Sequence, residues 1–232
     1  MLNRDAIISG AYLESFDSLP REMLWAQAQI DQSRIETMSR RPDHGDVWVF
    51  AYGSLMWNPL TQHDERVIAT LHQWHRSFCL RMIAGRGTPE FPGRMLALEP
   101  GGSTQGVALR LPEQTLDEEL RILWIREMVT GVYAPTWAPI ILENGEAATA
   151  LVFVADPQKS RYEPDTSVSV IAPLMHCASG AFGTNAEYVF KLQHALADCG
   201  LNDGYIDEIA AELARLAHTE INLSVHRETG KE

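Results

Sequence analysis

The chain has 232 residues, with 31 Asp and Glu against 19 Lys and Arg, for a formal net charge of −12. Such a surface repels a phosphate backbone, so nucleic acid is excluded as the expected partner. A hydrophobic content of 45% supplies a packed core without a staple, and no apolar run approaches the roughly 18 residues of a membrane helix. The three cysteines, Cys79, Cys177 and Cys199, are odd in number and lack CxxC spacing, which argues against a disulfide framework or a zinc ribbon. They read as reduced thiols of a cytoplasmic protein. The apolar stretch Ala6 to Leu13 is short and broken by Gly10, so no signal peptide is expected.

Residues 1–45 read as a polar helical extension, with a helix from Pro20 to Ser39 and a linker at Arg40 to Gly45. The main domain is expected over 46–222, followed by a polar tail at 223–232. At Val47 the composition changes to a β-prone apolar run, Val47 to Tyr52, closed by Gly53-Ser54. Further strands are predicted at 66–71, 75–83, 94–98, 105–111, 138–143 and 147–155. Asn144-Gly145 signals a type I′ hairpin between the last two. One helix interrupts the strands, from about Thr115 to Thr130, with Thr115-x-x-Glu118 as a capping box and Gly131 as its stop. The C-terminal part is helical, at 165–178, 185–198 and 204–218, with Thr184-x-x-Glu187 capping the second of these. Strands first and helices later indicate an α+β fold.

Within the 115–130 helix, Leu116, Leu120, Leu123 and Trp124 form an apolar stripe at about 100° per residue. Glu127 falls inside this stripe, whereas Glu118, Arg121 and Arg126 fall outside it. Burial raises a carboxylate's pKa, and the negative end of the helix dipole pushes the same way. A base working near neutral pH needs such a shift. The competing reading is a structural ion pair with Arg81 or Arg94.

Tyr52-Gly53-Ser54-Leu55 follows the first buried strand. Gly permits a sharp turn and close approach to a ligand, and successive N–H groups in such a turn can bind an anion. An ordinary strand-ending turn has the same composition. Other motifs carry less. His72-x-x-His75 points its side chains to opposite faces of a strand, so no metal site is expected. A Cys79–His75 dyad rests on same-face spacing alone, and Ser54 lacks the G-x-S-x-G context of a nucleophile elbow. The glycine-rich Gly85-Arg86-Gly87-Thr88 lacks the P-loop spacing and its Lys, and reads as a mobile loop or a pocket cover.

Taken together, Val47-Trp48-Val49-Phe50-Ala51-Tyr52-Gly53-Ser54-Leu55-Met56-Trp57-Asn58-Pro59 and Arg126-Glu127-Met128, ahead of Gly131 and Tyr133, resemble the ChaC-type γ-glutamylcyclotransferases. Gly93-Arg94, Gly106-Val107-Ala108 and Gly183-Thr184-Asn185-Ala186-Glu187-Tyr188 support the likeness, which spans about 47–200. Ala51 departs from the Gly usual before the Tyr. It is strained if that position needs a positive φ and fits if the position is extended.

The resemblance implies a mixed, closed or nearly closed β-barrel flanked by helices. It implies cleavage of reduced glutathione to 5-oxoproline and cysteinylglycine, without cofactor or metal and with Glu127 as acid/base. It also places Val49, Phe50, Ala51, Tyr52, Gly53 and Ser54 against the substrate; Leu55 joins them as a candidate, since the backbone N–H groups of the 52–55 loop are the chosen donors to an oxyanion or the glutamyl carboxylate. Arg94 is the candidate for a substrate carboxylate, and Tyr133 and Tyr188 are further candidate contacts; a surface Arg and packed tyrosines are the ordinary alternatives. Two other functions stand beside this one. The first is a non-catalytic regulator on the same fold, a cation-transport regulator, which would have no reason to keep a carboxylate at Glu127. The second is a cyclotransferase for other γ-glutamyl compounds, which would keep both the loop and the Glu.

Overall fold

The computed structural model describes residues 2–16, 19–42 and 45–229. Asp43 and His44 of the expected linker, and the last three residues of the expected polar tail, lie outside them. The chain forms two compact units, Met1–Leu80 with Leu96–Tyr162, and Arg81–Met95 with Glu163–Glu232.

The first unit opens with α1 (Arg4–Ile8), α2 (Ala11–Glu14), a 3-10 turn at Arg21–Met23 and α3 (Gln27–Ser39). Asn3 caps α1 by accepting from the Ala6 N–H at 2.8 Å. The single helix expected from Pro20 is broken, because Leu24 and Ala26 are extended. α3 restarts where the Gln29 side chain accepts from the Ala26 N–H.

Five strands follow: β1 (Trp48–Ala51), β2 (Glu65–Met82), β3 (Gly93–Arg110), β4 (Tyr133–Leu142) and β5 (Ala147–Ala155). They form a closed barrel in the order β1-β3-β2-β4-β5. β1 runs antiparallel to β3 and parallel to β5, with Trp48 opposite Ala150 and Val49 opposite Leu151, and this pairing closes the barrel. Closure gives each of the five strands a neighbour on both sides. The four strands predicted over 66–111 fuse into two long ones. Gln73 (φ 66), Gly101 (φ 113) and Gly102 (φ 67) sit where the sequence suggests turns, and the strands continue through them as local distortions.

The β4–β5 connection also differs from expectation. A type I′ turn needs positive φ at both Asn144 and Gly145, and only Gly145 (φ 87) has it. Gly145 N–H donates to the Leu142 carbonyl and Leu142 N–H to the Glu146 carbonyl, each at 2.8 Å, as in a type I turn followed by a glycine bulge. Asn144 Oδ1 accepts from the Glu146 N–H and fixes the turn locally.

Between β3 and β4 lies α4 (Leu116–Met128), preceded by a 3-10 turn at Glu113–Thr115. The expected Thr115 cap is not made, since its side chain forms no capping hydrogen bond. Gly131 does follow the helix with φ 60, in the left-handed region that favours glycine. Trp124 is fully buried and meets Phe153 of β5 edge-on at 5.5 Å.

The second unit contains α5 (Val168–Cys177), the two-residue strands β6 (Ser179–Gly180) and β7 (Gly183–Thr184), α6 (Asn185–Asp198) and α7 (Gly204–Thr229). Ile171, Met175, Val189, Leu192, Ile206 and Ile209 form its apolar interior. The Thr184 side chain caps α6 by accepting from the Glu187 N–H at 3.0 Å. The Gly85 loop is pinned within this unit: Phe182 N–H donates to the Gly85 carbonyl at 2.7 Å and Arg86 to the Thr184 carbonyl at 2.8 Å.

A charged residue is buried where α4 meets the N-terminal helices. Glu119, 0% exposed, accepts from Arg4 through both carboxylate oxygens at 2.6 and 2.8 Å, and from the Gln62 N–H at 2.9 Å. Removing one member of a buried pair strands the other's charge. Arg4→Ala should therefore lower the unfolding free energy by roughly 2–4 kcal/mol in urea titration. An Arg4→Met, Glu119→Leu double variant should recover part of that loss.

Candidate active site

α4 brings Glu127 and Arg126 to the end of the helix. The wheel places Arg126 with the outward charges, but the structure reverses the order of depth. The Arg126 side chain is 3% exposed and that of Glu127 14%. Of the whole helix, only Asp117, Glu118 and Arg121 are exposed. The outer face is covered by the N-terminal segment: Trp124 Nε1 donates to Ser33 Oγ at 3.2 Å, and Arg34 pairs with Asp117.

The ion pair of Glu127 is made with its neighbour, Arg126 Nε to Glu127 Oε1 at 2.9 Å, and not with Arg81 or Arg94. Arg126 also donates through Nη2 to Ser54 Oγ at 2.8 Å and through Nη1 to the Asn58 carbonyl. One guanidinium therefore joins the carboxylate to the loop that follows β1. Burial pushes the Glu127 carboxyl above its ordinary range and outweighs the opposing pull of the Arg126 charge.

The loop itself is a 3-10 turn, Ser54–Met56, entered through Gly53 (φ −135, ψ −133). The first N–H groups of such a turn have no partner within it. Behind the loop stands Arg76 of β2, a buried residue absent from the sequence-based site. Its Nε donates to the Tyr52 carbonyl at 2.8 Å and its Nη2 to the Gln105 carbonyl at 2.6 Å. Arg76, Phe78 and Leu80 share one face by strand alternation, so a cation on an apolar face was the available signal.

Val49, Phe50 and Ala51 are buried in β1, where Ala51 pairs with Val107. Ala51 is extended, so the alanine carries no positive-φ strain. Leu55 is buried. The Tyr52 hydroxyl donates to the Phe153 carbonyl at 2.5 Å. Tyr133 is buried, with its hydroxyl donating to the Leu96 carbonyl at 2.8 Å and its ring edge-on to Phe153. These residues all belong to the first unit.

Arg94 and Tyr188 belong to the second unit. Arg94 is a buried cation with Glu163 at 3.5 Å, and its Nε and Nη1 lack a well-aligned hydrogen-bond partner among the described residues. Its backbone is bracketed by buried Asn185, which accepts from the Arg94 N–H at 2.7 Å and donates to the Arg94 carbonyl at 3.0 Å. The Tyr188 ring faces the Arg86 guanidinium at 5.9 Å. Cys79 is buried and burial pushes its thiol up to about 12, with Glu99 adding to the shift, so it is not a thiolate near neutral pH. His75, its proposed dyad partner, is exposed.

A closed mixed barrel carrying a half-dry carboxylate at a helix end defines a protein class. The solved structure of a γ-glutamyl cyclotransferase specific to glutathione from yeast shares the fold, with a TM-score of 0.68 and 20% identity over 74% of this chain and 97% of that one. The sequence profile of the ChaC-like protein family matches residues 47–218, and the chain belongs to that family. It is 47% identical to the glutathione-specific γ-glutamylcyclotransferase of Escherichia coli (strain K12), over 93% of this chain and 94% of that protein. It is 32% identical to γ-glutamylcyclotransferase 2-1 of Arabidopsis thaliana, over 73% of this chain and 82% of the relative.

The three-way role of Arg126 needs the forked guanidinium, which an ammonium does not reproduce. Arg126→Lys should lower the unfolding free energy by about 1–3 kcal/mol in urea titration despite conserving charge.

Proposed function

We propose that this protein cleaves reduced glutathione to 5-oxoproline and cysteinylglycine, with Glu127 as the proton carrier. The observation that carries this reading is the Glu127–Arg126–Ser54 arrangement, which joins a carboxylate of raised proton affinity to the strand-end loop. The 47% identity with the glutathione-specific E. coli enzyme supports the choice of substrate. The three cysteines are free thiols, as expected of a reducing cytoplasmic setting.

The chemistry is an intramolecular exchange of amides. The substrate's α-amine attacks its own γ-carbonyl carbon, closing a five-membered lactam, and the bond from that carbon to the cysteine nitrogen breaks. Because the nucleophile is tethered, the substrate supplies the high effective concentration. An α-amine with a pKa of about 8 is mostly protonated at neutral pH, so a base must take its proton first. Glu127 accepts that proton and returns it to the departing cysteine nitrogen, and the second proton that the attacking nitrogen sheds on becoming the lactam N–H ends on the released amine; no water is consumed. A carboxylate raised by burial yet held by an adjacent guanidinium suits both transfers.

Arg126 acts as a positioning residue that aims Glu127 and steadies Ser54. The N–H groups at the start of the 52–55 loop receive the developing oxyanion or the glutamyl carboxylate. Val49, Phe50 and Ala51 deliver that loop as the buried strand ahead of it. Tyr133 is a further contact in this proposal; Arg94, whose Nε and Nη1 lack a well-aligned partner among the described residues, and Tyr188 stay candidates for a substrate carboxylate and ring contact.

Mass spectrometry of the products tests the reading. Wild-type protein should release 5-oxoproline and cysteinylglycine from reduced glutathione, and folded Glu127→Gln should lose at least about 100-fold in rate. Folded wild type that yields neither product would rule out glutathione, and a panel of other γ-glutamyl compounds would then be tried. A second expectation concerns pH. The carboxyl is raised above the roughly 4.3 of an unfolded chain. Between those two values the folded state holds the proton more tightly, so this group makes stability fall as pH rises. The melting temperature of Glu127→Gln relative to wild type should therefore climb as pH is raised from about 4 toward neutrality.

A further inference from the structure

The N-terminal segment lies ahead of the residues matched by the family profile, yet it reaches the end of the helix that carries Glu127. A helix leaves its last carbonyls without intrahelical partners. At the end of α4, two of these groups are satisfied from that segment. The Tyr12 hydroxyl donates to the Arg126 carbonyl at 3.1 Å, and the Trp25 N–H donates to the Val129 carbonyl at 2.9 Å. The same segment touches the far side of the strand-end loop, where Asn58 Nδ2 donates to the Leu2 carbonyl and Arg4 Nη1 to the Leu60 carbonyl, each at 3.2 Å.

Tyr12 is delivered by local geometry. Gly10 (φ 85) turns the chain from α1 into the single turn of α2, and Tyr12 points inward from it, 7% exposed. Its ring meets Phe16 edge-on at 5.1 Å. The carbonyl it holds belongs to the peptide linking Arg126 to Glu127, so its hydroxyl fixes the plane from which both side chains depart. The ring is itself buried at this helix end, one peptide from the residue that carries the carboxylate. Burial and the Glu127 charge both push the Tyr12 hydroxyl up from its ordinary value. Arg126 of α4 opposes the rise at Glu127, and Tyr12 of α2 feels both the Glu127 and the Arg126 charge.

We propose that Tyr12, from outside the family-matched region, is a positioning residue for the cyclisation: its hydroxyl orients the Arg126–Glu127 peptide and its ring keeps water from the Glu127 carboxylate. This rests on the glutathione-cleaving reading above. The two roles separate experimentally. Tyr12→Phe keeps the ring and loses the hydroxyl, so kcat should fall about tenfold while KM for glutathione stays within about twofold and the acidic limb of kcat/KM stays in place. Tyr12→Ala opens the space to water, relieving the burial that raises Glu127, so the acidic limb should move to lower pH.

The experiment is steady-state release of 5-oxoproline from glutathione across pH by wild type, Tyr12→Phe and Tyr12→Ala, each checked by thermal melting. Tyr12→Phe turning over at the wild-type rate would overturn the orienting role, and a folded Tyr12→Ala with the wild-type acidic limb would overturn the water-excluding role. Should Tyr12→Ala not fold, Tyr12→Leu, which removes the ring but fills more of its space, carries the water-exclusion test on the same terms. An inactive wild type would instead count against the glutathione reading itself, so the two failures are distinguishable.

Discussion

A buried guanidinium must place its N–H groups on acceptors, because an unpartnered buried charge is costly. Arg126 meets that requirement by reaching in three directions, to Glu127, to Ser54 Oγ and to the Asn58 carbonyl. The requirement explains much of the site. The helix end and the strand-end loop are held to one another because the same cation serves both. The proton affinity of Glu127 is set by opposition between burial and that cation, and burial prevails. A carboxylate in water binds its proton less tightly, and one buried without Arg126 would bind it more tightly.

The rest of the first unit makes such burial possible. α4 is covered on two sides. Trp124 packs against Phe153 of the barrel, while the indole Nε1 of that same residue donates outward to Ser33 of α3. Glu119 would be an expensive buried carboxylate alone, but Arg4 and the Gln62 N–H occupy its oxygens. Gly131 ends the arrangement for a steric as well as a conformational reason, because a Cβ there would fall 2.1 Å from the Trp25 indole. Arg76 performs the matching task behind the loop, holding the Tyr52 carbonyl from the barrel wall.

In the second unit, two stretches that carried the family resemblance prove to be one structural device. Asn185 brackets the Arg94 backbone by both accepting and donating, and a Cβ at Gly93 would lie 2.4 Å from Asn185 Oδ1. Gly93-Arg94 and Thr184-Asn185 are thus coupled by hydrogen bonds, and the coupling fixes where the Arg94 side chain begins. The Thr184 cap was readable from sequence, and its hydroxyl does hold the first turn of α6. The reciprocal half of the box is not made in the same way, since Glu187 reaches instead toward Arg86 and Lys191.

Local periodicity and composition determined a good deal by themselves. They located the strand before Tyr52, the strand pair around Asn144-Gly145, the 185–198 helix and the anomalous carboxylate at 127. These features are short-range, and alternation or a 3.6-residue repeat registers them directly. Tertiary structure decided what lies outside any window. It fused four predicted strands into two, because continuing ladder pairing can carry a chain through Gln73 or Gly101-Gly102 despite their turn-like character. It buried Arg126, which the wheel assigns to solvent, and with it Glu119, because the covering groups come from far away in sequence, Arg4 being 115 residues from Glu119 and Tyr12 114 from Arg126. A helix wheel assumes one buried face; a helix packed between a barrel and an N-terminal layer has two, and only the folded chain supplies the second.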